Sequence, residues 1–415
     1  MYRVWNFLTN YSLLLIIGAL IALVWANTNP ASYHALVEFV IWDHAPIGHL
    51  HDGHRTLTLH FLINDMLMAF FFAIAAKEVW EAIILNNGSL RGTKAATPLI
   101  ATLGGMLGPI AVYLALAAML GSTTFQAVQN GWAIPTATDI AFSYLVGRIV
   151  FGAGHPAVRF LLLLAIADDA GGLIILAIFY PTGDLAPAWL LVSLGVAISV
   201  YVLANWLPHY LDRGDQLRRH STWVRNTLSF WPYLLAGCVS WYAFQQSGIH
   251  PALGLLPIVP TIPHADRDFG FFDAAESHMT DLLNTIEHGL KVPVQITLFF
   301  FGLANAGVEF STIGAPTWLV LAGLIIGKPL GITLFGWIGA KVLGFGLPTG
   351  MRMADLPVVG CVAAIGFTVA LFVASVAFEP GAVQDAAKMG ALFSFGAAAI
   401  AIIAGRLARV EKQEL

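Results

Sequence analysis

The chain has 415 residues, of which 58% are hydrophobic and 11% charged, and its mean hydropathy is +0.77. Soluble chains average about 45–50% apolar and about 25% charged residues, so this much apolar surface must be solvated by lipid and a soluble fold is excluded. The net charge of −4 decides little, and the two cysteines, Cys238 and Cys361, are too few to complete a tetrahedral metal site.

At the N-terminus Arg3 precedes the apolar run Tyr11–Ala26. No small-x-small cleavage site follows it, so it reads as a first membrane helix rather than a signal peptide. Further apolar helical stretches lie at 57–84, 97–120, 132–146, 158–180, 187–206, 230–246, 250–262, 280–305, 317–341, 355–378 and 384–405. Together these predict an all-α polytopic membrane protein with about twelve spans. Two of the stretches, 132–146 and 250–262, are shorter than the roughly 20 residues of a full crossing. Such segments read as tilted or broken helices, tolerated where their freed backbone groups find partners inside protein.

Between the first two spans, the outer loop 27–56 carries Asp43, His44, His49, His51, Asp52 and His54, with His60 just beyond. Gly48 and Asp52-Gly53 are turn signals and Phe39-Val40-Ile41-Trp42 a strand candidate, which predicts a short β-hairpin. Histidine-rich tracts sometimes hold metal. Neither i, i+4 helical spacing nor Cys-x-x-Cys occurs here, so a solvated or subunit-contacting loop is the favoured reading. The inner loop 263–281, with Asp266, Asp268, Asp273, Glu276 and Asp281, reads as a solvated acidic surface.

Basic residues test the layout. With the N-terminus inside, the inner ends of the spans hold Arg3, Arg91, Lys94, Arg148, Arg159, Arg213, Arg218, Arg219, Arg225, Arg267, Lys341, Arg352, Arg406, Arg409 and Lys412. The outer side holds only Arg55 and Lys388, and Lys77, Lys291 and Lys328 fall within spans. The positive-inside rule predicts this asymmetry, which places both termini in the cytoplasm and makes the number of spans even.

Charges inside spans are costly and therefore informative. They are Asp65, Lys77, Glu78, Glu81, Asp139, Asp168, Asp169, Glu287, Lys291 and Lys328. Glu81, near an inner helix end, can snorkel to the interface. Asp168, Asp169 and Lys328 lie near the middle of their segments, about 15 Å from either end at 1.5 Å per residue. Successive positions on a helix diverge by about 100°, so Asp168 and Asp169 can face one cavity without facing each other. A pair of buried carboxylates needs a proton or a cation to neutralise it, and the two compete for the same oxygens. One lysine against two aspartates leaves a charge over, which favours an exchange site over a purely structural pair.

The segment GWAIPTATDIAFSYLVG at 131–147 is interrupted by Pro135 and offers Thr136, Thr138 and Asp139. Broken helices expose carbonyls and helix ends to transported ions, and Asp139 can balance the positive end of the second half-helix. In the other half, VVGCVAAIGFTVALF at 358–372 holds Gly360, Gly366 and Thr368. Two interrupted segments in corresponding halves point to an inverted repeat that relates spans 3–5 (97–180) to spans 10–12 (317–405), with the site between them. Lys328, followed by Pro329, can pair with Asp168 or neutralise negative helix ends.

These residues resemble the bacterial Na⁺/H⁺ antiporters of the NhaA type over about 57–405. The resemblance rests on Ile63-Asn64-Asp65 and the LMA and FF that follow, GWAIPTATDIAF (131–142) and Asp168-Asp169 with IILAIFY. It rests also on Gly248-Ile249-His250, GLANAG (302–307) and IIGKPLGI (325–332). It implies twelve helices with two broken ones crossing, and an ion-binding core that moves against a panel formed by the remaining spans. It implies electrogenic exchange of Na⁺ or Li⁺ for protons in the cell inner membrane, without a cofactor. By it Asp168 and Asp169 are the cation and proton carboxylates, Lys328 partners Asp168, and Thr138 and Asp139 border the site. Asp65 is an accessory intramembrane carboxylate, and the hairpin 27–56 contacts a second subunit in a homodimer. Glu78, Glu81, Glu287, His288 and Lys291 resemble an inner-mouth cluster that regulates activity with pH. This chain departs from the family there: Trp80-Glu81-Ala82 replaces a basic-basic-acidic stretch, Lys77 replaces an apolar residue, and Lys291 a histidine.

Two other functions share these features: a sodium-coupled organic anion symporter, which needs a basic clamp for which only Lys328 and Lys291 offer themselves, and an inactive or regulatory paralogue. An intramembrane enzyme is disfavoured. A Gly-x-Gly-Asp protease context and an Asp-Asp-x-x-Asp transferase motif are both missing from the sequence.

Overall fold

The computed structural model describes residues 13–51, 54–84, 95–213, 219–264 and 282–413. The acidic loop from Asp266 to Asp281 lies outside the described residues, as do Arg3, Asp52, Arg91, Lys94, Arg218 and Arg267.

Helices dominate, because a backbone in lipid must satisfy its own polar groups. In chain order, α1 is Leu13–Thr28 and α2 is Pro30–Val37. Strands β1 (Val40–Trp42), β2 (His49–His51) and β3 (His54–Thr58) follow. Next come α3 (Leu59–Ile84), α4 (Ala96–Met119), α5 (Ser122–Val128), a 3₁₀ stretch (Gln129–Thr136) and α6 (Ile140–Phe151). Then come α7 (Pro156–Phe179), α8 (Ala188–Leu211), α9 (219–228), α10 (Trp231–Ser247) and α11 (Leu282–Asn305). The last are α12 (Ala315–Val342), α13 (Asp355–Ala363), α14 (Phe367–Ala377) and α15 (Ala382–Leu407).

Six helices among the described residues, α3, α4, α7, α8, α12 and α15, are long and apolar enough to cross a membrane. The pair α13–α14, bent by 52° at its break, makes up to seven. Their outward faces are apolar: Leu191, Leu194, Ile198 and Leu203 of α8 are all more than half exposed. A surface of this kind requires lipid rather than water.

The loop between α2 and α3 folds into three strands in the order β1-β3-β2, both pairs antiparallel. This is one strand more than the predicted hairpin, and α2 precedes it. The stretch 250–262 is not a helix but two 3₁₀ turns, Pro251–Leu253 and Val259–Thr261. Pro251, Pro257 and Pro260 remove three backbone donors within ten residues, which prevents one continuous α-helix through the stretch.

The chain divides into two compact units. One comprises 1–36, 90–175 and 298–415, the other 37–89 and 176–297. In the first unit, α4 and α12 approach closely through glycines. A Cβ on Gly104 would lie 2.2 Å from Gly331 O, and one on Gly108 would lie 2.3 Å from Gly327 O. Small residues replace side-chain packing by backbone contact, the usual device where lipid gives no hydrophobic drive. Lys328 lies in this glycine-lined seam, between Gly327 and Gly331. Lys388 is buried on α15. The second unit holds the small sheet, α8, α10 and the 250–262 turns. Its core gathers Ala197, Val200, Tyr233, Ala236 and Ile258.

Candidate functional site

The first unit brings its two interrupted segments together at their breaks. The 3₁₀ stretch ends at Thr136, the backbone runs extended through Ala137 and Asp139, and α6 starts at Ile140. Opposite, α13 stops at Ala363 and α14 starts at Phe367. A break leaves carbonyls at one helix end and N–H groups at the next without intrahelical partners. Here each segment satisfies the other. Asp139 N donates to Ile365 O at 2.8 Å, and Ser143 Oγ donates to Val362 O at 3.2 Å.

Asp139 caps two helices at once. Its Oδ1 accepts from Phe142 N at 3.2 Å, the N-cap bond of α6. Its Oδ2 accepts from Thr368 N at 3.3 Å and from the Thr368 hydroxyl, in the first turn of α14. One carboxylate thus faces two positive helix ends, which stabilise its charge away from water.

Asp168 and Asp169 project from the middle of α7. Asp168 Oδ2 meets Lys328 Nζ at 2.7 Å and accepts from the Thr138 hydroxyl at 2.7 Å. Ala363 O, 3.2 Å from the same hydroxyl, is the alternative acceptor for its single proton. Lys328 Nζ also donates to Thr136 O, so it covers the negative end of the 3₁₀ stretch. Lys328, Thr138 and Asp168 are essentially inaccessible, and Asp169 is the most open of the carboxylates at 9% exposed. Two oxygens remain without a hydrogen-bond partner, Asp168 Oδ1 and Asp169 Oδ1. Gly171 packs on Met106, whereas Gly172 faces open space.

The structure therefore brings Asp168, Asp169, Asp139, Thr138 and Lys328 into one site. Thr368 and the carbonyls of Thr136 and Ala363 complete it. Carbonyl participation follows from the backbone breaks; the sequence points to exposed carbonyls near Pro135 but not to which ones.

The residues expected to form a pH-regulating cluster divide. In the second unit Lys77 Nζ lies 2.7 Å from both Glu81 Oε2 and Glu287 Oε2, and 3.4 Å from Glu78 Oε1. Glu81 does not snorkel: it is buried, because Lys77 one turn earlier neutralises it. His288 and Lys291 stand exposed on α11, outside this cluster. Lys77, which the sequence marks as a charge within a span and a departure from the family, is its hub.

Asp65, also in the second unit, is buried within a π-helical stretch of α3. It faces His250 Nε2 at 3.6 Å and His49 Nε2 at 3.9 Å, and its carbonyl accepts from Trp241 Nε1 at 2.9 Å. His250 Nδ1 accepts from Ala252 N, which directs Nε2, carrying the ring proton, toward Asp65.

Comparison with known proteins identifies the family. The model of the family "Na⁺/H⁺ antiporter 1" matches residues 4–406. The Na⁺/H⁺ antiporter NhaA of Jannaschia sp. (strain CCS1) is 76% identical over 420 residues, covering all of both chains. That of Desulfitobacterium hafniense (strain DSM 10664 / DCB-2) is 49% identical over 98% of this chain and 96% of its own. That of Geobacter sulfurreducens (strain ATCC 51573 / DSM 12127 / PCA) is 42% identical over 98% of each. The chain belongs to the Na⁺/H⁺ antiporter 1 family of membrane transporters.

Proposed function

We propose that the protein exchanges Na⁺ or Li⁺ for protons across the cell inner membrane, electrogenically and by alternating access, with Asp168 and Asp169 shared by cation and protons. One observation carries this reading. A single buried ammonium, Lys328, faces two buried aspartates and holds only one oxygen of Asp168, with Asp168 Oδ1 and Asp169 Oδ1 left without a hydrogen-bond partner. The uncompensated charge calls for a mobile cation, Na⁺ or H⁺. From the inside, Na⁺ displaces protons from Asp169 and Asp168 and takes the place of the Lys328 ammonium. From the outside, protons displace Na⁺, and Lys328 returns to Asp168. Only the loaded or protonated site crosses cheaply, because bare carboxylates carry a large desolvation cost.

The same reading gives the chain twelve spans built as inverted repeats, with both termini cytoplasmic. Spans 3–5 and 10–12 form the ion-binding core, and the other spans a panel. The sheet-bearing loop 27–56 joins two copies in a homodimer, and the Lys77, Glu78, Glu81 and Glu287 cluster, with His288 and Lys291 beside it, tunes access with pH. The abundance of intramembrane carboxylates and the near-complete coverage of antiporter relatives support this reading over organic anion symport.

The test is proton flux in everted membrane vesicles. Addition of NaCl or LiCl dissipates a preformed pH gradient in the wild type and not in Asp169→Asn. Robust exchange in that variant overturns the assignment, and dependence of the flux on an added organic anion favours the symporter.

A further inference from the structure

We infer that the outer sheet carries a site for a divalent first-row transition-metal ion, Zn²⁺ foremost, built from Asp43, His44 and His54. One side-chain nitrogen or oxygen from each of the three lies within 4.8 Å of the others. His54 Nε2 is 3.2 Å from Asp43 Oδ1, and the imidazoles of His44 and His54 lie against each other with centroids 4.1 Å apart, tilted by 48°. Two imidazole nitrogens and one carboxylate oxygen are the donor set of an open zinc site, with water completing the tetrahedron. The ligand atoms need to close by at most about 1.4 Å to reach the roughly 3.4 Å separation set by bonds of about 2.1 Å.

The sheet makes this proximity lasting. Asp43 and His44 directly follow β1, and His54 opens β3. Pairing of Trp42 with Leu57, together with the bond from Ala45 N to Arg55 O at 2.9 Å, fixes one segment beside the other. His44 adopts a left-handed backbone, φ +53°, uncommon outside glycine, and Asp43 Oδ1 accepts from its N–H at 3.0 Å. That conformation turns the ring of His44 onto His54. Asp43 and His44 are exposed, so an ion reaches them without rearrangement of the fold. A simple Asp43–His54 ion pair accounts for one contact of the three but not for the second imidazole held over the first.

Neither helical nor Cys-x-x-Cys spacing brings these ligands together. Sheet pairing supplies the convergence instead, joining residues ten and eleven positions apart. The site lies in the second unit, and its readout does not depend on transport. Its failure therefore leaves the antiport assignment untouched.

The experiment titrates Co²⁺ and then Zn²⁺ into the purified full-length protein in detergent. The wild type gives a visible absorption band of four-coordinate Co²⁺ that saturates at about one ion per chain and is displaced by Zn²⁺. His44→Gln and His54→Gln each abolish the band, Asp43→Asn weakens zinc affinity at least about tenfold, and His209→Gln, at an exposed histidine elsewhere, keeps it. Unchanged thermal stability of the metal-free variants confirms that they fold. A band that persists in the His44→Gln/His54→Gln double variant, or no saturable band in the wild type, overturns the proposal.

Discussion

At the scale of single residues, the site is governed by a mismatch of charge. Lys328 and Asp168 are each fully buried, so removal of either leaves the other uncompensated, at a cost of about 3–5 kcal/mol. Lys328→Met is therefore expected to lower the melting temperature of the detergent-solubilised protein more than Asp169→Asn, because Asp169 holds no ion pair with Lys328. Transport is expected to invert that order, with Asp169→Asn abolishing exchange in vesicles. Asp168→Asn should harm both stability and exchange. In the other unit Lys77→Met strips the ammonium that contacts Glu78, Glu81 and Glu287 together. It should destabilise the protein by a comparable amount in thermal unfolding, and Glu81→Gln by less. Asp168, Asp169 and Lys328 were legible in the sequence because charge in an apolar run has few explanations. Lys77 was not weighted as a hub, because its partner Glu287 is more than two hundred residues away and only the fold brings them together.

Among elements, the broken helices show what sequence periodicity can and cannot reach. Pro135 and the charged Asp139 gave away the first break. The second, at Ala364–Gly366, has no proline, and only its glycines and Thr368 hinted at it. The stretch 250–262 looked helical by hydropathy, but its three prolines overrode apolarity. The role of Asp139 separates into capping and charge. Asp139→Asn keeps an acceptor for the N–H groups of Phe142 and Thr368 and should retain most of the stability. Asp139→Ala loses both caps and should cost about 1–4 kcal/mol in unfolding measurements, at about 0.5–2 per cap. The glycine seam gives a second contrast. A Cβ on Gly331 would meet Gly104 O at 1.9 Å, whereas one on Gly172 meets nothing within 4 Å. Gly331→Ala should therefore depress thermal stability by more than about 1–3 kcal/mol, the usual cost of overpacking. Gly172→Ala should leave it unchanged.

For the whole molecule, lipid solvation was legible from composition alone, and the exposed apolar faces of α8 agree with it. The number of crossings was less legible. Segments such as α1 and α10 fall short of a crossing by length, and α11, with Glu287, His288 and Lys291, by apolarity. The homodimer proposal makes a prediction at this scale. Deletion of residues 43–54 should convert the detergent-solubilised protein from dimer to monomer in a light-scattering mass measurement while vesicle exchange persists. Retention of the dimer assigns the contact to another surface.

The double cap at Asp139 has a kinematic consequence. Since one carboxylate holds the first turns of both α6 and α14, and α6 also bonds the end of α13, sliding these helices apart would strand several backbone groups at once. On the alternating access proposed above, a displacement that turns the site from one side of the membrane to the other is expected to carry the three helices as one rigid body. Spin labels on α6 and α14 should keep a constant separation between acidic, proton-loaded protein and sodium-loaded protein.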